Sequence, residues 1–147
     1  MANEDTFHLG VKALIINKAG KILVLRSNPK KLTNNEPDHW DLPGGRLQKG
    51  DQNLEETLRR EVKEEIGITQ LKIIEFFDCS IAKLRIHHKH GLVLYTFICS
   101  VNNVNIKLTD DEHSEFGWFS PKEAAKLLST KFSDEFVERL SKMSSRT

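Results

Sequence analysis

The sequence predicts a mixed α/β fold in which helices flank a sheet, and three observations carry that prediction. Short runs rich in Val, Ile and Leu recur along the chain, separated by turn residues. A helical periodicity over residues 54–66 interrupts them. Two further helical segments, each opening on a serine, close the chain. The 147 residues are the size of one ordinary domain, so residues 1–147 read as one unit. Charged residues make up 29% yet nearly cancel, to a formal +1, and no broad basic field marks nucleic acid or an anionic membrane as a partner. Any anion binding must be local.

Residues 1–6 and 144–147 are polar and expected to fray. Residues 9–16 and 21–26 read as antiparallel strands joined by a hairpin at Asn17-Lys18-Ala19-Gly20. Residues 30–38 form a polar loop with Pro29 and Pro37 nearby. It leads into a short strand at 40–42 that Pro43-Gly44-Gly45 stops. Leu54, Leu58, Val62 and Ile66 then recur every fourth residue, with Asn53 and Glu56 placed for a capping box and Gly67 for a left-handed C-cap. Runs 71–77, 81–86 and 92–101 read as strands, with a turn at His87-His88-Lys89-His90-Gly91. A last strand at 116–119 precedes a helix started by Ser120-Pro121, and residues 133–143 form the final helix.

Cys79 and Cys99 read as small core thiols in a reducing compartment, and no apolar run is long enough to span a membrane. The expectation is a cytoplasmic protein whose oligomeric state the sequence leaves open.

Chemistry concentrates in residues 44–68. On a helix, residues three and four apart are neighbours, so Glu61, Glu64 and Glu65 share one patch. At about 100° per residue that patch lies at the edge of the apolar stripe and not on its solvent pole. Clustered carboxylates repel one another unless a cation sits among them, and oxygen donors select a hard ion such as Mg²⁺ or Mn²⁺. An isolated Glu-x-x-Glu-Glu could equally be a solvated face balanced by Arg59, Arg60 and Lys63. Here a glycine turn precedes the helix, and Arg60 stands beside Glu61 to orient it or to meet a phosphate.

Gly45 followed by Arg60-Glu61-Val62-x-Glu64-Glu65-x-Gly67-Ile68 resembles the Nudix box, G-x5-E-x7-R-E-U-x-E-E-x-G-U with U apolar. The match from Arg60 onward is complete, and the Trp40-x-Leu42-Pro43-Gly44-Gly45 lead-in and Trp118-Phe119 extend it. The resemblance implies the Nudix α/β/α sandwich, with a mixed sheet between the box helix and the C-terminal helices. It also implies a metal-dependent hydrolase that cuts a phosphoanhydride bond in a small nucleotide. Gly45 through its carbonyl, Glu61, Glu64 and Glu65 would bind Mg²⁺ (or Mn²⁺), Arg60 would fix a glutamate, and the general base would come from the box or from a late loop glutamate. This chain departs from the family pattern in carrying Asp51 for the usual Glu and Gln48 where Glu is common. Eight residues instead of seven also separate Asp51 from Arg60. The extra residue falls near the helix start, where a loop absorbs it without rotating the Arg60-to-Glu65 face.

Glu112, six residues before Trp118, is the candidate loop base, ahead of Glu115. His87, His88 and His90 read as a polar turn and not a zinc site, which would want a fourth ligand. Arg26, Trp40 and Arg85 are candidate substrate contacts. Other classes stay open, namely a catalytically weak nucleotide-binding module or an enzyme like isopentenyl-diphosphate isomerase.

Overall fold

Alternation along the strands separates two cores. In β1 (Phe7–Ile16), Leu14 faces one side while Val11, Ala13 and Ile15 face the other; in β2 (Ile22–Ser27), Ile22 and Val24 oppose Leu23 and Leu25. Such strands must be covered on both faces. The computed structural model describes residues 3–33, 36–102 and 105–144. Expectations that concern residues 1, 2 and 145–147, and residues 34 and 35 of the polar loop, lie outside these.

The remaining described elements are β3 (Trp40–Asp41), β4 (Gly44–Arg46), α1 (Leu54–Ile66), β5 (Leu71–Ile81), β6 (Gly91–Val101), β7 (His113–Phe119), α2 (Pro121–Leu128) and α3 (Asp134–Ser141). The seven strands form one mixed sheet of order β3-β2-β1-β6-β5, with β4 on β1 and β7 on β2. β1 runs parallel to β6 from Phe7↔Gly91 to Ile16↔Ser100 and supplies the sheet's backbone. α1 lays Leu58, Val62 and Ile66, each fully buried, on the Val11 side. α2 and α3 cover the Leu14 side with Ala124, Leu128, Phe136 and Leu140. The α/β/α sandwich is the expected fold.

Local signals hold at most ends. Asn53 accepts from the Glu56 N–H (3.0 Å). Gly67, at φ 75°, donates to the Lys63 carbonyl (3.0 Å). Ser120 and Glu123 close a reciprocal capping box.

Three expectations fail. Residues 81–86 are not a strand: β5 runs on to Ile81, and beyond it Ile86 makes only an isolated bridge to His90. The Lys83 N–H leaves the sheet to reach the Lys131 carbonyl (2.7 Å), so residues 82–90 form a loop folded toward the α2–α3 turn. Cys79 is exposed on the edge strand, while Cys99 is buried in the core, where desolvation pushes its thiol up to about 12. Asp5 and Thr6 are tied down, by Arg85 (2.9 Å) and by the Gly91 N–H (2.9 Å).

What positions the site is a split between β1 and β2. They pair only at Ile16↔Ile22, beside the Asn17–Gly20 turn, and then splay. The segment 40–46 fills the gap, pairing first with β2 (Leu25↔Asp41) and then with β1 (Lys12↔Gly44). Gly44 makes the crossing at φ 143°, where a Cβ would lie 2.0 Å from the Val11 carbonyl oxygen. Gly44→Ala therefore combines a strained dihedral with a backbone clash and should cost roughly 2–4 kcal/mol. Urea denaturation measures it, and a midpoint within a few tenths of a kcal/mol of the parent would show that the turn relaxes freely.

Candidate active site in the splayed sheet

α1 enters behind the glycine turn. Its apolar stripe is clamped to the sheet, and the adjoining face presents Glu61, Glu64 and Glu65 to a cleft of about 880 Å³. The fit is close: a Cβ on Gly45 would sit 2.3 Å from Glu61 Oε1, so only glycine lets that carboxylate lie over the turn. Glu65 is buried and accepts from the Gly44 N–H (3.0 Å). The segment after β6 seals the helix end, with the Thr109 N–H donating to the Glu65 carbonyl (3.0 Å) and the Thr109 hydroxyl to the Glu64 carbonyl.

Electrostatics follow from this packing. Burial, and then the neighbouring Glu64, push Glu61 above the usual carboxylate range. Burial pushes Glu65 to about 8, against the pull of Lys12 and the Gly44 N–H. Arg60 lies outside the cleft in a bidentate pair with Asp51 (2.6 and 3.1 Å), its Nη2 4.0 Å from Glu61 Oε1. That pair, with the Gln48 N–H, holds Asp51 at about 2. Asp51 thus faces Arg60 and does not line the cleft.

Among the other candidates, Glu112 and Arg85 line the cleft. Glu112 is exposed, with its carbonyl accepting from the Asn28 N–H (2.8 Å). Arg85 pairs with Asp5 at the rim. Arg26 is held by Asp38 (2.5 Å) and Glu115 (3.3 Å), and Trp40 stacks edge-on against Phe119; neither borders the cleft.

Sequence reasoning passed over two groups. His113 is largely buried with Nδ1 3.4 Å from Asp110 and 3.6 Å from Glu65. The three residues offer ligand atoms within 4.8 Å of one another. Near them, Lys12 and Lys131 share Asp41 at 3.1 and 2.6 Å, all three residues lining the cleft. A lone Lys in the apolar run of β1 was the available signal; Lys131, between two helices, gave none.

The model of the NUDIX domain family matches residues 6–140. This chain belongs to the Nudix family. An 8-oxo-dGTP diphosphatase of Buchnera aphidicola is 38% identical over 65 residues, 44% of this chain and 46% of that protein. The asymmetrical bis(5'-nucleosyl)-tetraphosphatase of Mus musculus is 34% identical over 92 residues, 60% of each. The chain thus spans about half of the curated relatives it matches. The crystal structure of a MutT protein from Methanosarcina mazei Go1 superposes with a TM-score of 0.72 at 29% identity, covering 95% of this chain and 96% of that one. Within this Nudix fold no described helix is long and apolar enough to cross a membrane.

The Lys12–Asp41–Lys131 triad makes a prediction independent of activity. Burial alone would raise Asp41, but the two ammonium groups outweigh it and hold the carboxyl well below the usual range. A depressed carboxylate stabilises the fold fully above its unfolded value, and that stability is lost as pH falls toward the folded one. Asp41→Asn strands two buried cations and should cost about 3–5 kcal/mol at pH 7. It should also flatten the loss of stability below pH 4. Thermal melts of both proteins across pH 2–7 check this, and superposable curves would refute it.

Proposed function

We propose that the chain is a divalent-cation-dependent pyrophosphohydrolase. It cleaves a phosphoanhydride bond in a nucleoside triphosphate, oxidised ones included, or in another nucleoside diphosphate linked to a second group. The observation that carries this reading is the convergence of Glu61, Glu64 and Glu65 on one cleft beside the Gly44–Gly45 turn. Relatives named for 8-oxo-dGTP and for a bis(5'-nucleosyl) tetraphosphate support a nucleotide substrate. The free Cys79 and Cys99 suit a cytoplasmic, reducing setting.

The residues fit a cation. Gly45 through its main-chain oxygen and Glu61, Glu64 and Glu65 offer oxygen donors, the set that Mg²⁺, or Mn²⁺, prefers. Glu61, pushed up by burial and by Glu64, and Glu65, pushed up by burial, are matched by positive charge. Bound there, the ion would neutralise phosphate oxygens and lower the pKa of the attacking water.

The chain's own groups do the rest. Arg60, braced by Asp51, steadies Glu61 from outside the cleft. Glu112, an exposed residue on an anchored loop that lines the cleft, takes the proton from the attacking water. Arg85 at the rim meets a phosphate or ribose oxygen. For Arg26 and Trp40 to contact substrate, their pairings with Asp38, Glu115 and Phe119 would have to open.

A nucleotide screen with Mg²⁺, reading phosphate and pyrophosphate release separately, tests the reading. Excess EDTA should abolish turnover while far-UV circular dichroism is retained, because both cores are built of apolar side chains and not of the box glutamates. Full turnover in EDTA overturns the mechanism. Glu64→Gln should depress turnover far more than melting temperature. Glu112→Gln should lower it roughly 10²–10⁴-fold, as loss of a general base does. Normal turnover by Glu112→Gln beside a crippled Glu115→Gln would move the base to Glu115.

Asp51→Ala releases Arg60 and should lower turnover while leaving the half-saturating Mg²⁺ concentration unchanged. A rise in that concentration would place Asp51 at a cation instead.

A further inference from the structure

The cleft has a second wall with chemistry opposite to the first. Lys12 shares its strand face with Leu14, on the α2–α3 side of the sheet, and Lys131 lies between α2 and α3. Both ammonium groups converge on one oxygen, Asp41 Oδ2, while Oδ1 accepts from the Leu42 N–H (2.7 Å). Lys12 also donates to the Leu42 carbonyl (3.2 Å). Side-chain exposures of 8%, 7% and 14% for Lys12, Asp41 and Lys131 leave the cleft as their route to solvent.

The donor arithmetic is one-sided. Two ammonium groups carry six N–H donors, and Asp41 with the Leu42 carbonyl accounts for three of them. The carboxylate that could accept a hydrogen bond from a ligand is already engaged on both oxygens. The wall therefore offers donors and a net positive charge of one, and buried donors are costly to leave without acceptors.

We propose that Lys12 and Lys131 form the base-recognition wall of the cleft and select nucleobases that present a carbonyl oxygen there over adenine, which presents an amino group. The proposal deepens the nucleotide reading above and rests on it. Phosphates belong on the α1 wall, where the carboxylates and the glycine turn lie, while Lys12 stands on the α2–α3 face of the sheet and Lys131 between those helices. A cleft of about 880 Å³ spanning both walls is in the size range of small-molecule sites and has room for a nucleotide between them. A keto oxygen accepts from the free ammonium donors. An amino group would set donor against donor, leaving both unsatisfied in a buried place.

Inosine and adenosine monophosphates isolate the difference, because one carries oxygen and the other an amino group at the same ring carbon. Neither has a phosphoanhydride bond, so binding is read by titration calorimetry without turnover. The wild-type chain should bind the inosine nucleotide at least about 10-fold more tightly. Lys131→Met, which leaves Asp41 paired with Lys12, should erase that preference and leave inorganic pyrophosphate affinity unchanged; Lys131→Arg should retain part of it.

Equal wild-type affinity for the two monophosphates, including no binding of either, overturns the proposal whatever the variants do. A parallel loss of pyrophosphate affinity in Lys131→Met also overturns it, by assigning the ammonium to phosphate. Hydrolysis of inosine and adenosine triphosphates, run alongside, separates the two readings. Turnover of both without base preference defeats this inference alone. A binding preference with no turnover of either defeats the hydrolase reading alone.

Discussion

β1 and β2 cannot stay paired once the segment 40–46 lies between them, and the rest of the site depends on that separation. In a continuous hairpin the Asn17–Gly20 turn would simply extend its ladder. Instead the crossing strand satisfies both inner edges, with the Ala13 N–H donating to the Pro43 carbonyl (2.8 Å) and the Ser27 N–H to the His39 carbonyl (2.8 Å). The gap thus costs few backbone hydrogen bonds. It opens a crevice in the middle of a sheet whose two faces are covered by helices, the kind of discontinuity at which α/β sheets bind ligands.

Charge is divided across that crevice. On the α1 side, half-buried Glu61 and buried Glu65 are raised in pKa and suited to a cation. On the α2–α3 side, two ammonium groups hold one carboxylate far below its usual range. Neither group would be tolerated alone in so buried a place, because an uncompensated charge loses hydration without regaining it. Their proximity is part of the compensation: Lys12 pulls on both Glu61 and Glu65. A substrate with an anionic end and an acceptor-rich end matches such a polarised cleft.

Asp51 shows how a departure from the family pattern is absorbed. α1 begins at Leu54, after Asp51, and carries Glu61, Glu64 and Glu65 to the cleft. The shorter carboxylate still reaches Arg60 (2.6 Å) and also accepts from the Gln48 N–H (2.7 Å). The pair is part-buried, with side-chain exposures of 36% for Arg60 and 10% for Asp51. It also leaves Arg60 4.0 Å from Glu61.

Local patterns in the sequence determined what short-range physics controls. The every-fourth-residue spacing from Leu54 to Ile66 set the helix and the face carrying its glutamates. Asn53, Gly67, Ser120 and Ser133 set helix ends through hydrogen bonds that span only a few residues. Gly44 and Gly45 announced a backbone that no side chain could follow. Residues 81–86 misled because an apolar run is equally consistent with a strand and with a loop whose ends are held elsewhere, here by Lys131. The lysine wall could not be read at all: Lys12, Asp41 and Lys131 are far apart along the chain and meet only when the third layer docks. Periodicity tells a residue which face it occupies, and only tertiary packing decides which charges share that face.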